Sequence, residues 1–509
     1  MLHLAWKIDK HDTPLPWEHK KPRGALEQDM VCAKPEDIAC HTAIIAQSGS
    51  GKSFFLGRLL EEILINTKAQ MRIFDPNGDF LQFNNHISSV DWKKYNKYDS
   101  INRRGFLTHE SKVSTFSNKW KKIVFSIHRT KSALDPNNSA HVELSVPIQE
   151  ISAAFLGRGL SAPEKSALYH AHQFTIAATI VTNEKDKTGG PVKLSYVEDL
   201  FEKSKELSRK DFLEYIEKKY LTATGSLKNK KSDDLINLAG SVLGYSIPIF
   251  GAVLSSLMEN AYKIMLNARL KDSPTKMFES SRYFTDKDLK FYCGEIHKYQ
   301  AQHLISRKPL VNPEKSADAR TQIFDLPSIE TTEAKLLVVD ALLEKELSKA
   351  KLDREAALKS PHDEDTRVPV FIVVDEAHNL IPAEPQNEFE RAVRDKFRTI
   401  AAEGRKFGLF LILVSQRPDK LDKMVLSECS NRAVMKLSGQ SVLDETVSGL
   451  ALEDVSESLQ KRCLNFDKGR MLLYGSWVNN EPVLAYGAAR RTIEGGGNLR
   501  KSHWAVPYS

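Results

Sequence analysis

The stretch AQSGSGKS, residues 46–53, decides how this chain folds. It stands between the apolar run TAIIA and an amphipathic run in which Phe55, Leu59, Ile63 and Leu64 recur at helical spacing. A strand, a loop of small residues and a helix are therefore expected in that order. Small residues before Lys52 let the backbone curl until its amide groups face an anion, and the helix N-terminus adds a favourable dipole. In that setting Lys52 reaches β- and γ-phosphates and the Ser53 hydroxyl ligates Mg²⁺. Ser48, Gly49, Ser50, Gly51, Lys52, Ser53 and Phe54 are thus the expected contacts of ATP. The usual pattern opens on glycine; here that position is Ala46. The competing reading is an ordinary Gly/Ser turn that caps a helix.

Outward from the loop, the next signal is VPVFIVVDEAH, residues 368–378. Its continuous apolar run suits a strand buried on both faces, and it delivers Asp375 and Glu376 at the carboxyl end, where open α/β sheets hold ligands. Asp375 suits the surroundings of Mg²⁺, and Glu376 suits polarising an attacking water as general base. Two acids capping the next helix would be the plainer explanation. LFLILVSQ, residues 409–416, is another buried-type strand ending on Gln416, an amide able to contact a γ-phosphate or the lytic water. Before it, in AAEGRKFG, Arg405 and Lys406 end a helix. They either complement the helix C-terminus or supply an arginine finger to a neighbouring subunit. His378 is expected to shape the turn after the acidic pair.

MRIF (71–74) followed by Asp-Pro-Asn-Gly, TQIFDL (321–326), RAVMKLS and MLLYGSW read as further strands. Residues 332–350 and 387–407 read as helices. Strands alternating with helices imply an α/β, RecA-like core with a mainly parallel sheet. The expected division is a short segment 1–40, a core from 41–84 and 301–490, a mainly helical insertion 85–300, and a tail 491–509. Within the insertion, helices are expected over 151–182 and 236–270, the second bent near Pro248. Polar loops are expected at DPNNSA (135–140) and SLKNKKSDD (226–234).

Composition bounds the rest. At 509 residues the chain can bury a sizeable core, and 41% apolar with 27% charged residues places it among ordinary globular proteins. An excess of 7 positive charges permits a nucleic-acid partner without arguing for one. No stretch has the length and apolarity of a signal peptide or membrane span. Five scattered cysteines without zinc-site spacing suit reduced thiols, and the expected location is the cytoplasm. WKKYNKY (92–98) and KWKK (119–122) interleave cations with aromatics, as a phosphate-binding surface or a plain solvated face would. Lys228, Lys230 and Lys231 fall in a loop, where solvation is the expectation.

DEAH at 375–378 is not a DEAH-box helicase signature here. Asp375 follows Lys52 by 323 residues, and nothing downstream supplies a second motor. Instead the ordered set AQSGSGKS, IFDPNGDF, IFDLPS, VVDEAHNLIP, EGRKFG and LVSQRPDKL resembles the HerA branch of the HerA/FtsK superfamily of ring ATPases. The resemblance covers roughly residues 41–84 and 145–497, including GAARRTIEGGG near the end. It implies a hexameric ring threaded by double-stranded DNA, working with a nuclease or another effector, anti-phage defence included. It implies Asp75 beside the metal with Ser53 and Asp375, Glu376 as base, Gln416 as sensor and Arg405 as the finger acting in trans. The family's Glu in the DPxGE-like motif is Asp79 here, which keeps the charge. Members carry an N-terminal β-barrel where nucleases dock, and residues 1–40 are too few to close one. A ring that only scaffolds or gates its effector is the second reading. A conjugative coupling ATPase is the third, disfavoured because that group carries N-terminal membrane helices.

Overall fold

The apolar runs become strands because their side chains have protein on both sides. A computed structural model describes residues 1–8, 30–86, 110–147, 319–359, 367–488 and 490–495, with short stretches and single positions between 151 and 306 and at 365. In chain order the strands are β1 (Leu2–Lys7), β2 (Met30–Ala33), β3 (His41–Ile45), β4 (Gln70–Asp75), β5 (Phe125–Arg129) and β6 (His141–Glu143). They continue with β7 (Val146–Pro147), β8 (Ile305–Ser306), β9 (Thr321–Asp325), β10 (Val370–Val374) and β11 (Leu409–Ser415). β12 (Cys429–Val434), β13 (Arg470–Tyr474) and β14 (Val483–Gly487) complete them. Every residue of β3, β10 and β11 is buried. Such double burial is what a central parallel strand requires.

Twelve of these strands form one sheet in the order β2-β1-β14-β13-β12-β3-β11-β10-β4-β9-β5-β6. From β12 to β6 all neighbours are parallel; β13, β14, β1 and β2 add an antiparallel edge. β7 and β8 make a separate parallel pair. The strand that leads into the glycine loop and the strand that carries the acidic pair are not adjacent. β11 lies between them, paired with both, so its carboxyl end falls between the loop and the acids.

Helices cover both faces. α1 (Lys52–Asn66) lies on one face with α2 (Glu110–Trp120); α3 (Thr332–Lys359) and α4 (Glu388–Phe407) lie on the other. Alternate strand residues sort accordingly. Ile44, Ile73, Val373 and Ile412 meet Phe55, Leu59 and Ile63 of α1. Ile45, Phe74, Ile372 and Leu411 meet the layer containing Leu342 of α3 and Val393, Phe397 and Ile400 of α4. Each such fully buried side chain contributes about 2 kcal/mol. α3 runs nine residues past its expected end, and β10 stops before Asp375 because Glu376 takes φ 45°.

The sheet also reaches beyond the expected core. β1 and β2 of the N-terminal segment pair onto β14, while β5 and β6, from the segment expected to be mainly helical, pair onto β9. FSIHR carries Ser126 and His128 inward, fully buried, so its alternation is hidden from a reading that looks for apolar residues. The DPNNSA loop is a turn closed by Asp135 and Asn138 side chains accepting from Asn137 and Ala140 amides. In KWKK the aromatic is core: Trp120 is buried, with Phe116, Phe83 and Phe125 rings 5.2 to 5.3 Å away and its indole N–H on the Asn84 carbonyl. Lys119, Lys121 and Lys122 point to solvent. Helices over 151–182 (beyond a turn at Ala153–Leu156) and 236–270, WKKYNKY, the three loop lysines and residues 496–509 lie outside the described residues. Among the described residues no helix is long and apolar enough to cross a membrane, and the four described cysteines are free thiols.

At the amino edge of the sheet, His41 Nδ1 accepts the Leu411 amide at 2.9 Å, which ties the start of β3 to β11. Burial, with the Arg405 charge acting in the same direction, pushes His41 down to about 4 from 6.5. Burial likewise pushes His128 down to about 3. Both are neutral in the fold, whereas the unfolded chain takes up protons below 6.5. Their stability is present above 6.5 and is lost as pH falls toward 4, with His41 contributing on the order of 3 kcal/mol. We expect the unfolding midpoint to drop over that window and to drop less steeply in His41→Gln. Equal pH slopes for the two proteins would remove His41 from the account.

Candidate active site

β3 runs straight into the loop, and Ala46 extends it: its amide donates to the Ser415 carbonyl at 3.1 Å and its side chain is buried. Ala46 does not take positive φ, so this position has no need of glycine. The departure from the usual pattern is thus accommodated. Gly51, by contrast, sits at φ 101° as the N-cap of α1, a conformation that L side chains rarely adopt. A glycine cap has no side chain to satisfy the first-turn amides, which leaves the helix N-terminus to an anion. The loop is braced from behind. Ser50 Oγ donates to the Gln47 carbonyl at 2.6 Å, Gln47 N to Lys436 O at 2.7 Å, and Gly469 N to Ser50 O at 2.7 Å. Ser48 and Gly49 are exposed, and Ser53 and Phe54 half-buried.

The separated motifs converge here. Lys52 Nζ lies 3.1 Å from Asp375 Oδ1 and also donates to Glu376 Oε1. Gln416 Nε2 donates to the same Glu376 oxygen at 2.8 Å. Burial works against the charge on Lys52, but the two carboxylates prevail and hold it above its ordinary value. Burial also pushes Asp375 upward, against the pull of Lys52. Glu376 occupies left-handed backbone at φ 45° and ψ 50°, the kind of local strain, about 1–3 kcal/mol, that persists where surrounding structure fixes a working group. His378 Nδ1 meets Ser415 Oγ at 3.1 Å, and Ser415 Oγ accepts from Arg417 N at 3.0 Å. Burial pushes His378 downward, and its contact with Ser415 ties it to this turn.

Asp75 is placed differently from the expectation of a metal-side group. It is fully buried, and its carboxyl accepts four backbone amides: Asn77 at 3.3 Å, Gly78 at 2.8 Å, Asp79 at 3.1 Å and Phe80 at 2.8 Å. Burial raises it to about 7. Its work is to fold the loop 76–80. That loop presents Asp79, whose Oδ2 accepts from Ser53 Oγ at 3.0 Å, which sets Asp79 beside the expected Mg²⁺ ligand. The signal was the acidic residue four places after Asp75, readable only as a replaced family Glu.

The donor set fits a Mg²⁺ nucleotide. Asp375 Oδ2 and Glu376 Oε2 are buried without a hydrogen-bond partner, two carboxyl groups share the one Lys52 ammonium, and a third, Asp79, stands on the Ser53 hydroxyl. A divalent cation and a phosphate anion together would balance that arrangement. Ser53 and Asp375, with Asp79 adjacent, are the residues that would hold the metal.

Arg405 is not brought to this edge. It is exposed in the last turn of α4, before β11 begins, and its charge acts on Cys40 and His41 at the start of β3. The loop and acids lie at the other end of those strands, roughly 20 Å away over the 7 residues of β11. Arg490, which lies in the GAARRTIEGGG run and was assigned no role there, does approach and donates to the Ser53 carbonyl at 3.2 Å.

Residues 27–346 match the family model described as the central domain of the helicase HerA, which is well over half of the chain. A probable helicase of Methanocaldococcus jannaschii is 36% identical over 132 residues, covering 26% of this chain and 25% of the relative. The DNA double-strand break repair helicase HerA of Sulfurisphaera tokodaii is 26% identical over 231 residues, covering 45% and 41%. The chain thus spans less than half the length of these curated relatives. Among solved structures, VirB4 of Thermoanaerobacter pseudethanolicus aligns over 96% of both chains with 14% identity and a TM-score of 0.43.

Proposed function

Because this chain belongs to the HerA central-domain family, we propose that it is an ATP-hydrolysing ring motor acting on double-stranded DNA. The observation that carries the reading is the division of the site between two edges of the sheet. Lys52, Ser53, Asp375, Glu376 and Gln416 gather at the carboxyl edge, and Arg405 stands exposed at the amino edge. A finger so placed would serve another copy's nucleotide, and head-to-tail contacts of that kind make a ring when the rotation between copies closes. A hexamer is the proposed assembly.

The residues divide the work. Lys52 pairs with both Asp375 and Glu376. Phosphate oxygens compete for the same ammonium, so binding transfers Lys52 toward the nucleotide and frees Glu376 Oε1. Gln416 still holds that oxygen, which keeps the carboxylate aimed while it accepts a proton from the attacking water. Bound Mg²⁺ would supply neutralisation of charge on the β- and γ-phosphate oxygens. Arg405 of the adjacent copy then stabilises charge developing in transfer. Turnover is coupled to DNA passing through the ring and serves a nuclease or other effector, with anti-phage defence as the proposed setting and the cytoplasm as its place. Duplex DNA should stimulate ATP turnover, and the stimulation should fall steeply with added salt. Turnover indifferent to duplex DNA at every salt concentration would leave an ATPase ring that only gates its effector.

A further inference from the structure

Residues 490–495 form a strap that crosses α1 and ends against the loop carrying Asp79. Its outer half is held by Glu61, fully buried, which accepts from Arg491 N at 2.8 Å, Thr492 N at 2.7 Å and Thr492 Oγ1 at 2.8 Å. Ile493 N donates to Asn85 O, and Gly495 N to Asp79 O at 3.0 Å. Arg490 turns the other way, toward the site. Its guanidinium is 1% exposed, lies 5.3 and 5.5 Å from the Phe80 and Phe83 ring centres, and donates to Thr492 Oγ1, Ile493 O and Ser53 O. The room for it is made by Gly57, where a Cβ would stand 2.4 Å from Arg490 Nε.

Ser53 and Asp79 hydrogen-bond to each other, and the strap holds both from behind: Arg490 on the Ser53 carbonyl, Gly495 on the Asp79 carbonyl. A buried arginine is a costly way to pin a helix to a loop. Glu61 already does that with neutral donors. What Arg490 adds is a directed bond into the one turn that carries the metal-side hydroxyl.

We propose that Arg490 is a positioning residue of the nucleotide site. It fixes Ser53 against Asp79, so that the 490–495 strap tightens when Mg²⁺ nucleotide binds and loosens when it leaves. The proposal rests on the ATPase reading above, and it assigns to the C-terminal segment a part in that site. Groups that orient a metal ligand set affinity by about 10–100-fold. In the full-length protein, Arg490→Ala should therefore weaken binding of a fluorescent ATP analogue with Mg²⁺ by about tenfold, and leave its binding in EDTA unchanged. Arg490→Lys, which keeps the charge and loses the fork of donors, should fall between the two.

Hydrogen exchange on the wild-type protein removes any dependence on how the variants fold. Amides 492–495 should exchange several-fold more slowly with a non-hydrolysable ATP analogue plus Mg²⁺ than with the analogue in EDTA. Equal exchange in the two conditions, or an Arg490→Ala loss of the same size with and without Mg²⁺, would reduce the strap to a structural tie and overturn the proposal. A wild-type protein that binds no analogue under either condition would instead overturn the ATPase reading itself.

Discussion

Arg405→Ala will bind ATP as the wild-type protein does and hydrolyse it about a thousand- to a hundred-thousand-fold more slowly. The first half follows from distance within one chain: Arg405 is exposed at the amino edge, a strand's length from Lys52, and can contribute nothing to nucleotide bound by its own subunit. The second half follows from the chemistry of phosphoryl transfer, in which a guanidinium stabilises charge that exists only in the transition state. Folding is a small consideration. Arg405 shares the last turn of α4 with Lys406, so its loss from a helix C-terminus costs under about 1 kcal/mol. The plainer role of Arg405, as a cation complementing that helix end, predicts the opposite pattern: slightly lower stability and unchanged turnover. Steady-state turnover together with equilibrium binding of ATP separates the two.

Glu376→Gln should lower turnover by about a hundred- to ten-thousand-fold, again with ATP bound. Gln is nearly the same shape, and its amide oxygen can keep the contacts that Lys52 and Gln416 make with Glu376 Oε1. It also leaves Asp375 as the one carboxylate paired with the Lys52 ammonium, so the change in stability should be small beside the loss of turnover. What disappears is the ability to take a proton. Lys52→Ala is a different lesion, since it strips the phosphate-binding ammonium and leaves two buried carboxyl groups facing each other. Binding itself should fail there. Full turnover by Glu376→Gln would assign the base elsewhere.

How much of this was legible beforehand varied with burial. Central strands such as VFIVV and the LFLILV run of β11 declare themselves, because a strand covered on both faces is apolar along its length. Asp375, Glu376 and Gln416 were readable because each sits just past the end of such a strand, Lys52 and Ser53 because they open the helix after the small-residue loop, and ends of parallel strands share one edge. β1, β2, β5 and β6 were not, being edge or near-edge strands whose inward residues include Ser126 and His128. The loop-folding bonds of Asp75 were hidden for a related reason. A short acidic loop signals carboxylates near a metal, but only the folded loop reveals that Asp75 spends its oxygens on four amides and that Asp79 faces Ser53. Arg490 lies in GAARRTIEGGG, a run that entered only through the family resemblance, because no local pattern connects it with the Ser53 carbonyl 437 residues away.

The central claim is that each working site is shared between two copies of the chain. Turnover of a mixture of Arg405→Ala and Glu376→Gln subunits tests it most directly. Each variant alone should be inactive. Mixed in equal amounts, about a quarter of the interfaces in a head-to-tail ring join an intact Glu376 to an intact Arg405, and ATP turnover with duplex DNA should reappear. A mixture as inactive as its components, in rings shown by mass to contain both, would contradict the shared site.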